Sequence, residues 1–469
     1  MNPQLALLLA YSALLISIGH LIGRRVRGTS DFFVAGRSLG PGLIFSTMLA
    51  ANIGAGSTVN ATALGYSGGV AAWWWVGSAA LGSAILAFWI GPAMRRVAAA
   101  RDLRTVGDFL EYRYGATVRA LIAVLLWAGS LFILAGQLFA MGVILETVAN
   151  IPSWAGCVIG GVVITTYFTA GGLLTSAWVN MVQLTVKLAG FAIAVPLVLD
   201  RIGGFSALTL VQPNNRTYWT FWQAGPPGVM WLALLTPAFI VSPGLLQKIF
   251  GARDDHAVRI GVGLNALGLL LYAGIPVVLG ISARMLFPDL AIPDLALPTI
   301  LMRGVPPAVG ALGLAAVFSA EISAADAVLF MLTTSLSQNL YKRFVNPVAD
   351  DALVLRMTRL TAIVSGVAGV VLAIGLGSVL NALTIFYTLL GVSLFVPILA
   401  GLYIRRAGTP EALTSIACGV AAMLGVQFAT AGRSAFGLTP ALAGIIAATI
   451  GFALVFASRS RTYEPQRAV

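Results

Sequence analysis

About 13 apolar runs, each long enough to cross a bilayer, succeed one another along the 469 residues. No other feature restricts the fold so strongly. In hydrocarbon an unsatisfied backbone amide or carbonyl costs several kcal/mol, so a spanning segment must satisfy its own hydrogen bonds. Continuous apolar runs of this length do so as helices. They are 3–23, 41–65, 71–94, 118–148, 152–170, 179–199, 227–248, 259–284, 306–336, 358–377, 382–403, 412–430 and 439–458. A mean hydropathy of +0.93 and a charged fraction of 9% agree. The expectation is an all-α polytopic membrane protein. The first run lacks a basic segment before it and reads as a retained helix rather than a signal peptide.

The net charge of +12 does not point to nucleic acid, because of where the basic residues fall. With the N-terminus outside and the C-terminus inside, 22 of the 28 Lys and Arg lie in cytoplasmic segments, Lys248 counted among them. That is the topology bias of a membrane protein, with contacts to lipid headgroups. Lys187 stands apart, inside a span. Cys157 and Cys418 sit in apolar runs and read as small buried hydrophobes.

One run is unlike the rest. From Ser46 to Gly69 the chain is apolar enough to span, yet Asn52-Ile53-Gly54-Ala55-Gly56-Ser57 is small, polar and rich in glycine. Irregular backbone at membrane depth persists only where it is buried or lines a polar cavity. The stretch is predicted to be a broken helix, a common way for transporters to hold an ion or solute.

Several short segments carry a resemblance. Ser30-Asp31-Phe32-Phe33-Val34-Ala35-Gly36-Arg37-Ser38-Leu39-Gly40 resembles the "DYFLAGRSLG" signature of the sodium/solute symporter family, and Leu49-Ala50-Ala51-Asn52-Ile53 resembles its first core helix. Thr105 to Tyr114 is similar to its "TMPEFLEKRY" loop. Gly171-Gly172-Leu173, with Ala177 to Gln183, is similar to "GGL…WTDVIQ", and Ser242 to Lys248 to "PG..QR". The resemblance implies a leucine-transporter-like fold with five-plus-five inverted repeats, 41–199 and 227–403. One extra helix (3–23) precedes them and two (412–458) follow, N-out and C-in. It implies a secondary active transporter in the cell (inner or plasma) membrane, moving a small organic solute by alternating access. Beyond a coupling ion, Na+ or H+, no cofactor is implied.

The resemblance further implies a sodium site from the carbonyls of Ala50, Ile53 and Ala316 and the hydroxyl of Ser319. Residues 316, 319, 320 and 323 share one helical face, which equally suits a packing stripe of small residues. Two departures stand out. The second hydroxyl of the family is Ala320, and the Asp of "WTD" is Asn180. A further sodium site seen in some members needs hydroxyls where Ile322 and Ser323 stand.

Charge enters instead. Lys187, Glu321 and Asp326 lie within spans, where ionisable groups are functional candidates. At about 1.5 Å per residue, Lys187 and Asp326 match in depth, roughly 12 and 15 Å from the cytoplasmic ends, against roughly 22 Å for Glu321. Two accounts follow. Lys187 stands near the second sodium position and the carrier runs on protons or on no ion; or Lys187 and Asp326 form an ion pair and sodium still binds.

The resemblance places the solute among the first, second, third, sixth and tenth core helices, with Ser57, Asn60, Trp74, Gln137 and Tyr387 as candidates. An enzyme is not expected: His20 and His256 are the two histidines, and no HExxH, P-loop or nucleophile elbow occurs. A channel or membrane sensor is a remoter alternative.

Overall fold

The computed structural model describes residues 10–18, 21, 29–169, 172–210, 217–223, 228–376, 378–430 and 437–459. Those residues are helical throughout, apart from loops and a single isolated bridge between Leu39 and Ala252. Residues 10–18 belong to the extra N-terminal helix, and the rest of run 3–23, except residue 21, lies outside the described residues.

The expected broken helix folds as two pieces, α2 (Pro41–Asn52) and α3 (Ala61–Gly68), after a short α1 (Thr29–Val34). Next come α4 (Trp73–Ile85), α5 (Gly91–Ala100), the short α6 (Val106–Tyr114), the long α7 (Ala116–Ala149), α8 (Ser153–Phe168) and α9 (Gly172–Ile202). A second broken pair follows, α10 (Trp231–Val241) and α11 (Pro243–Phe250), hinged at Ser242. After it run α12 (Asp255–Tyr272), α13 (Gly274–Leu286), α14 (Ala296–Arg303), α15 (Pro307–Thr334), α16 (Asp351–Leu376) and α17 (Val379–Tyr403). The last two helices, α18 (Thr409–Thr430) and α19 (Pro440–Arg459), pack on each other and on α17.

Ten described helical segments are long and apolar enough to cross a membrane. The difference from about 13 runs has local causes. The run 41–65 is cut into two short helices, α8 is only 16 residues long, and the first run is described only in part. Glycine and proline make the cuts. Pro243 has no N–H to donate into α10, so the helix restarts there, with Ser242 at ψ 119°.

The core surrounds α2, α9 and α15. The first packs against α12 and α9, and the third packs against α9 and α7. α15 is the most enclosed element, and Gly190 of α9 approaches it so closely that an added Cβ would collide with Ala316 Cβ. Small residues allow that approach.

Basic residues gather at one end of the bundle and lace it. Arg37 pairs with Asp102 at 2.9 Å, Arg95 with Asp255 at 3.1 Å, and Arg459 with Glu411 at 3.3 Å. Glu111 of α6 joins two helices' worth of chain, accepting from Arg119 at 2.7 Å and Arg343 at 2.6 Å. Burial alone would raise its carboxyl, but the bonds from Arg343 and Arg119 outweigh burial and hold it below its ordinary 4.5. A folded-state value below the unfolded one contributes stability above the unfolded value and loses it as pH falls through the folded one. Glu111→Gln is therefore expected to lower the melting temperature at neutral pH and to make no difference in strong acid. Solvent screening keeps the effect to about 0.5–1 kcal/mol.

Candidate functional site

Two helices break at mid-bundle, and the breaks line one shared cavity. The first break contributes Asn52, Gly54, Gly56 and Ser57, and the second contributes Ser242 and Gly244. Breaking a helix strands carbonyls at one piece's C-terminus and amides at the next piece's start. Their partners define the site.

The amide side is satisfied by side chains from close by. Ser57 Oγ accepts from the Gly54 N–H at 3.1 Å and donates to the Asn52 carbonyl at 2.9 Å. Gln137 Oε1 of α7 accepts from the Ala55 N–H at 2.8 Å. Thr58 donates to Glu321 Oε1 at 2.9 Å.

The carbonyl side is satisfied by a cation. Lys187 Nζ, fully buried, donates to the carbonyls of Ala50 at 2.6 Å and Ile53 at 3.1 Å. Its third bond is to Ser323 Oγ at 2.5 Å. An ammonium has three hydrogens, so its donor capacity is filled. The placement follows from helix physics: the C-terminal carbonyls of α2 carry partial negative charge and favour a cation there. Ser323 in turn donates to the Ala50 carbonyl at 2.7 Å. The three oxygens that would suit a sodium ion thus already hold a cation that belongs to the chain.

The other candidates are distributed differently from the sequence expectation. Ser319 stands about one turn and Ala316 about two turns along α15 from Ser323, toward the end away from the basic one. There Ser319 bonds Tyr11 of the extra helix at 2.7 Å and the Gln183 carbonyl at 3.3 Å, while Ala316 packs on Gly190. The member of the small-residue stripe that joins Ala50 and Ile53 is Ser323. Asp326 does not pair with Lys187. Its carboxylate accepts from the Ser176 hydroxyl, and its electrostatic partner is Lys248. Glu321 makes no ion pair with Lys187 among the described residues either and accepts instead from the Thr58 hydroxyl. Asn180 bridges Thr47 Oγ1 at 3.2 Å and Ser176 Oγ at 3.1 Å.

Of the solute candidates, Ser57, Gln137 and Tyr387 line the cavity. Asn60 is buried beside it, away from the lining. Trp74 belongs to an aromatic lid, with Nε1 donating to the Phe221 carbonyl at 2.9 Å, and its neighbour Trp75 takes the lining position. Trp75 stacks edge-on against Trp231 at 4.7 Å, and Tyr387 lies 5.6 Å from Phe239, all ring centroids. Of these rings, Trp75, Phe239 and Tyr387 belong to the aromatic side of the lining.

Lys248 is the residue that sequence reasoning misplaces. Counted as a cytoplasmic loop charge, it is 3% exposed, lines the cavity and donates to the Thr47 carbonyl at 2.8 Å. The signal for it in the sequence is its position only six residues after the break at Ser242.

Residues 32–419 match the model of the sodium:solute symporter family. The human sodium/iodide cotransporter is 23% identical over 85% of this chain, which aligns to 65% of that protein's length. The sodium/glucose cotransporter of Vibrio parahaemolyticus is 23% identical over 89% of this chain and 84% of its own. The sodium/pantothenate symporter of Escherichia coli (strain K12) is 26% identical over 98% of this chain and 97% of its own. Among solved structures, a Na+-coupled sialic acid symporter in its substrate-bound, outward-open state superposes with a TM-score of 0.82 at 17% identity, covering 99% of each chain. These relatives are transporters and not enzymes, as expected from the motifs, and the fold is the leucine-transporter-like one. A match across this much of a multi-pass chain leaves one assignment: the protein belongs to the sodium:solute symporter family.

Proposed function

We propose that this protein moves a small organic solute across the cell membrane by alternating access, with the Lys187 ammonium in the place where relatives take a coupling sodium ion. One observation carries the reading: Lys187 Nζ bonds both carbonyls at the end of the first half-helix and the facing Ser323 hydroxyl. Coupling then runs on protonation of Lys187, or the carrier works without an ion. A lysine amine gains and loses a proton readily in a desolvated site, as no guanidinium does. In the same reading 41–199 and 227–403 are inverted repeats, supported by the two broken helices in corresponding places. The chain runs N-out and C-in, supported by the basic end.

Sodium coupling is the second reading. It is favoured by the names of the relatives and by the three neutral oxygens of Ala50, Ile53 and Ser323. Proteoliposomes separate the two. Uptake of a solute that stabilises the purified protein is expected to follow an inward proton gradient, or the solute gradient alone, in sodium-free buffer. Lys187→Arg, charged but unable to release a proton, is expected to lose proton-driven accumulation. Uptake that needs an inward sodium gradient and ignores pH would overturn the proposal.

A further inference from the structure

We infer that the cavity takes a small carboxylate with an apolar body and that Lys248 holds its charge; the inference rests on the transport reading above. The two buried lysines differ in one respect that matters. Lys187 has three acceptors, one for each ammonium hydrogen, and does not line the cavity. Lys248 lines the cavity and, among the described residues, has a single hydrogen-bond acceptor, the Thr47 carbonyl. Asp326 acts on it electrostatically but sits beyond ion-pair distance, with its carboxylate bonded by Ser176. Two ammonium hydrogens of this buried side chain thus have no hydrogen-bond partner among the described residues.

A buried, incompletely partnered charge is costly, and the cost falls when an opposite charge with acceptor atoms joins it. A carboxylate supplies both. The geometry of α11 suits the task. Side chains on a helix lean toward its N-terminus, and the N-terminus of α11 is the break at Ser242. Lys248 therefore reaches back along the wall toward the unwound segments.

The rest of the lining agrees. Among the described residues no carboxylate lines the cavity, so a cationic solute finds no charge partner in that lining. Some neutral polar groups are engaged: Asn52 donates to Asn265, Ser57 holds the Gly54 N–H, and Gln137 holds the Ala55 N–H; Trp75, Ser242 and Tyr387 also line the cavity and can hydrogen-bond a polar part of the solute. The remaining walls, including Val76, Leu235 and Phe239, are apolar. One cation, no facing carboxylate among the described lining residues and largely apolar walls fit an organic acid better than an amine.

The test uses the purified full-length protein and acid–amide pairs of one shape: lactate with lactamide, pantothenate with its primary amide, and 3-phenylpropionate with 3-phenylpropionamide. At least one acid is expected to raise the melting temperature in a saturable way while its amide does not. Lys248→Met is expected to weaken that acid about tenfold or more, and Lys248→Arg to retain most of the affinity. Three results would overturn the inference: an amide that binds as well as its acid, an acid unaffected by Lys248→Met, or no response to any acid. The acid–amide comparison on the unaltered protein stands even if a variant fails to fold. Proton-driven, sodium-free uptake of a neutral solute would sink this inference and leave the coupling proposal intact.

Discussion

Lys187→Ala is expected to destabilise the protein and to convert it into a sodium binder. The ammonium bonds the Ala50 and Ile53 carbonyls and the Ser323 hydroxyl in a site that excludes water. Truncation removes the ammonium from the Ile53 carbonyl and leaves the Ala50 carbonyl with Ser323 alone. An orphaned buried group costs about 1–3 kcal/mol, and polar contacts between membrane helices are measured at the lower end of that range. A loss of about 1–3 kcal/mol follows, large against the marginal stability of most proteins. The same truncation opens a space bounded by three oxygens, the ligand type that hard cations take. Sodium chloride is therefore expected to raise the variant's melting temperature relative to choline chloride at equal ionic strength. The unaltered protein should show no such difference, because its own cation fills the position. Sodium stabilisation of the unaltered protein at the same concentrations would mean that ion and ammonium coexist, and the coupling proposal would fall.

That site is partly legible in the amino-acid sequence. The unwound stretch shows in Gly54 and Gly56, because glycine-rich polar sequence cannot face lipid. The resemblance points to Ala50 and Ile53, and the cost of burying a charge points to Lys187. Their partner on α15 is less legible: Ser323 is one candidate, but residues 316, 319, 320 and 323 lie on one helical face, and a shift of one turn, about 5.4 Å, leaves the pattern unchanged. Depth counted from helix ends that shift by a few residues cannot separate Asp326 from Glu321 as the acid near Lys187. Trp73, Trp74 and Trp75 pose a related problem. Adjacent residues point about 100° apart on a helix, and three identical neighbours carry no sign of which one faces the cavity. Lys248 is lost to a boundary effect. Hydropathy ends a span at its first charge, whereas α11 continues to Phe250 with the lysine turned inward onto the Thr47 carbonyl.

Gly54→Ala tests whether the unwound segment must touch α15. A Cβ built at Gly54 would collide with Ala324 Cβ and lie 2.9 Å from Gln137 Oε1. Neither neighbour yields easily: Ala324 is a helix-borne methyl group, and Gln137 Oε1 is held by the Ala55 N–H. Overpacking of this kind costs about 1–3 kcal/mol, and more where backbone must move. Here the moving backbone carries the function. Pushing residue 54 away from α15 draws the Ile53 carbonyl from Lys187, so transport is expected to fall at least about tenfold, out of proportion to the loss of folded protein. Gly274→Ala is the matched control, since nothing lies within 4 Å of a Cβ there. The clash with Ala324 also predicts a partner-specific rescue. Ala324→Gly should restore part of the transport lost by Gly54→Ala while giving no gain alone, a coupling that neighbours show and distant sites do not. Equal transport by Gly54→Ala and the Gly274→Ala control would mean that the break tolerates a side chain, and the close packing of the first half-site against Ser323 would lose its role in coupling.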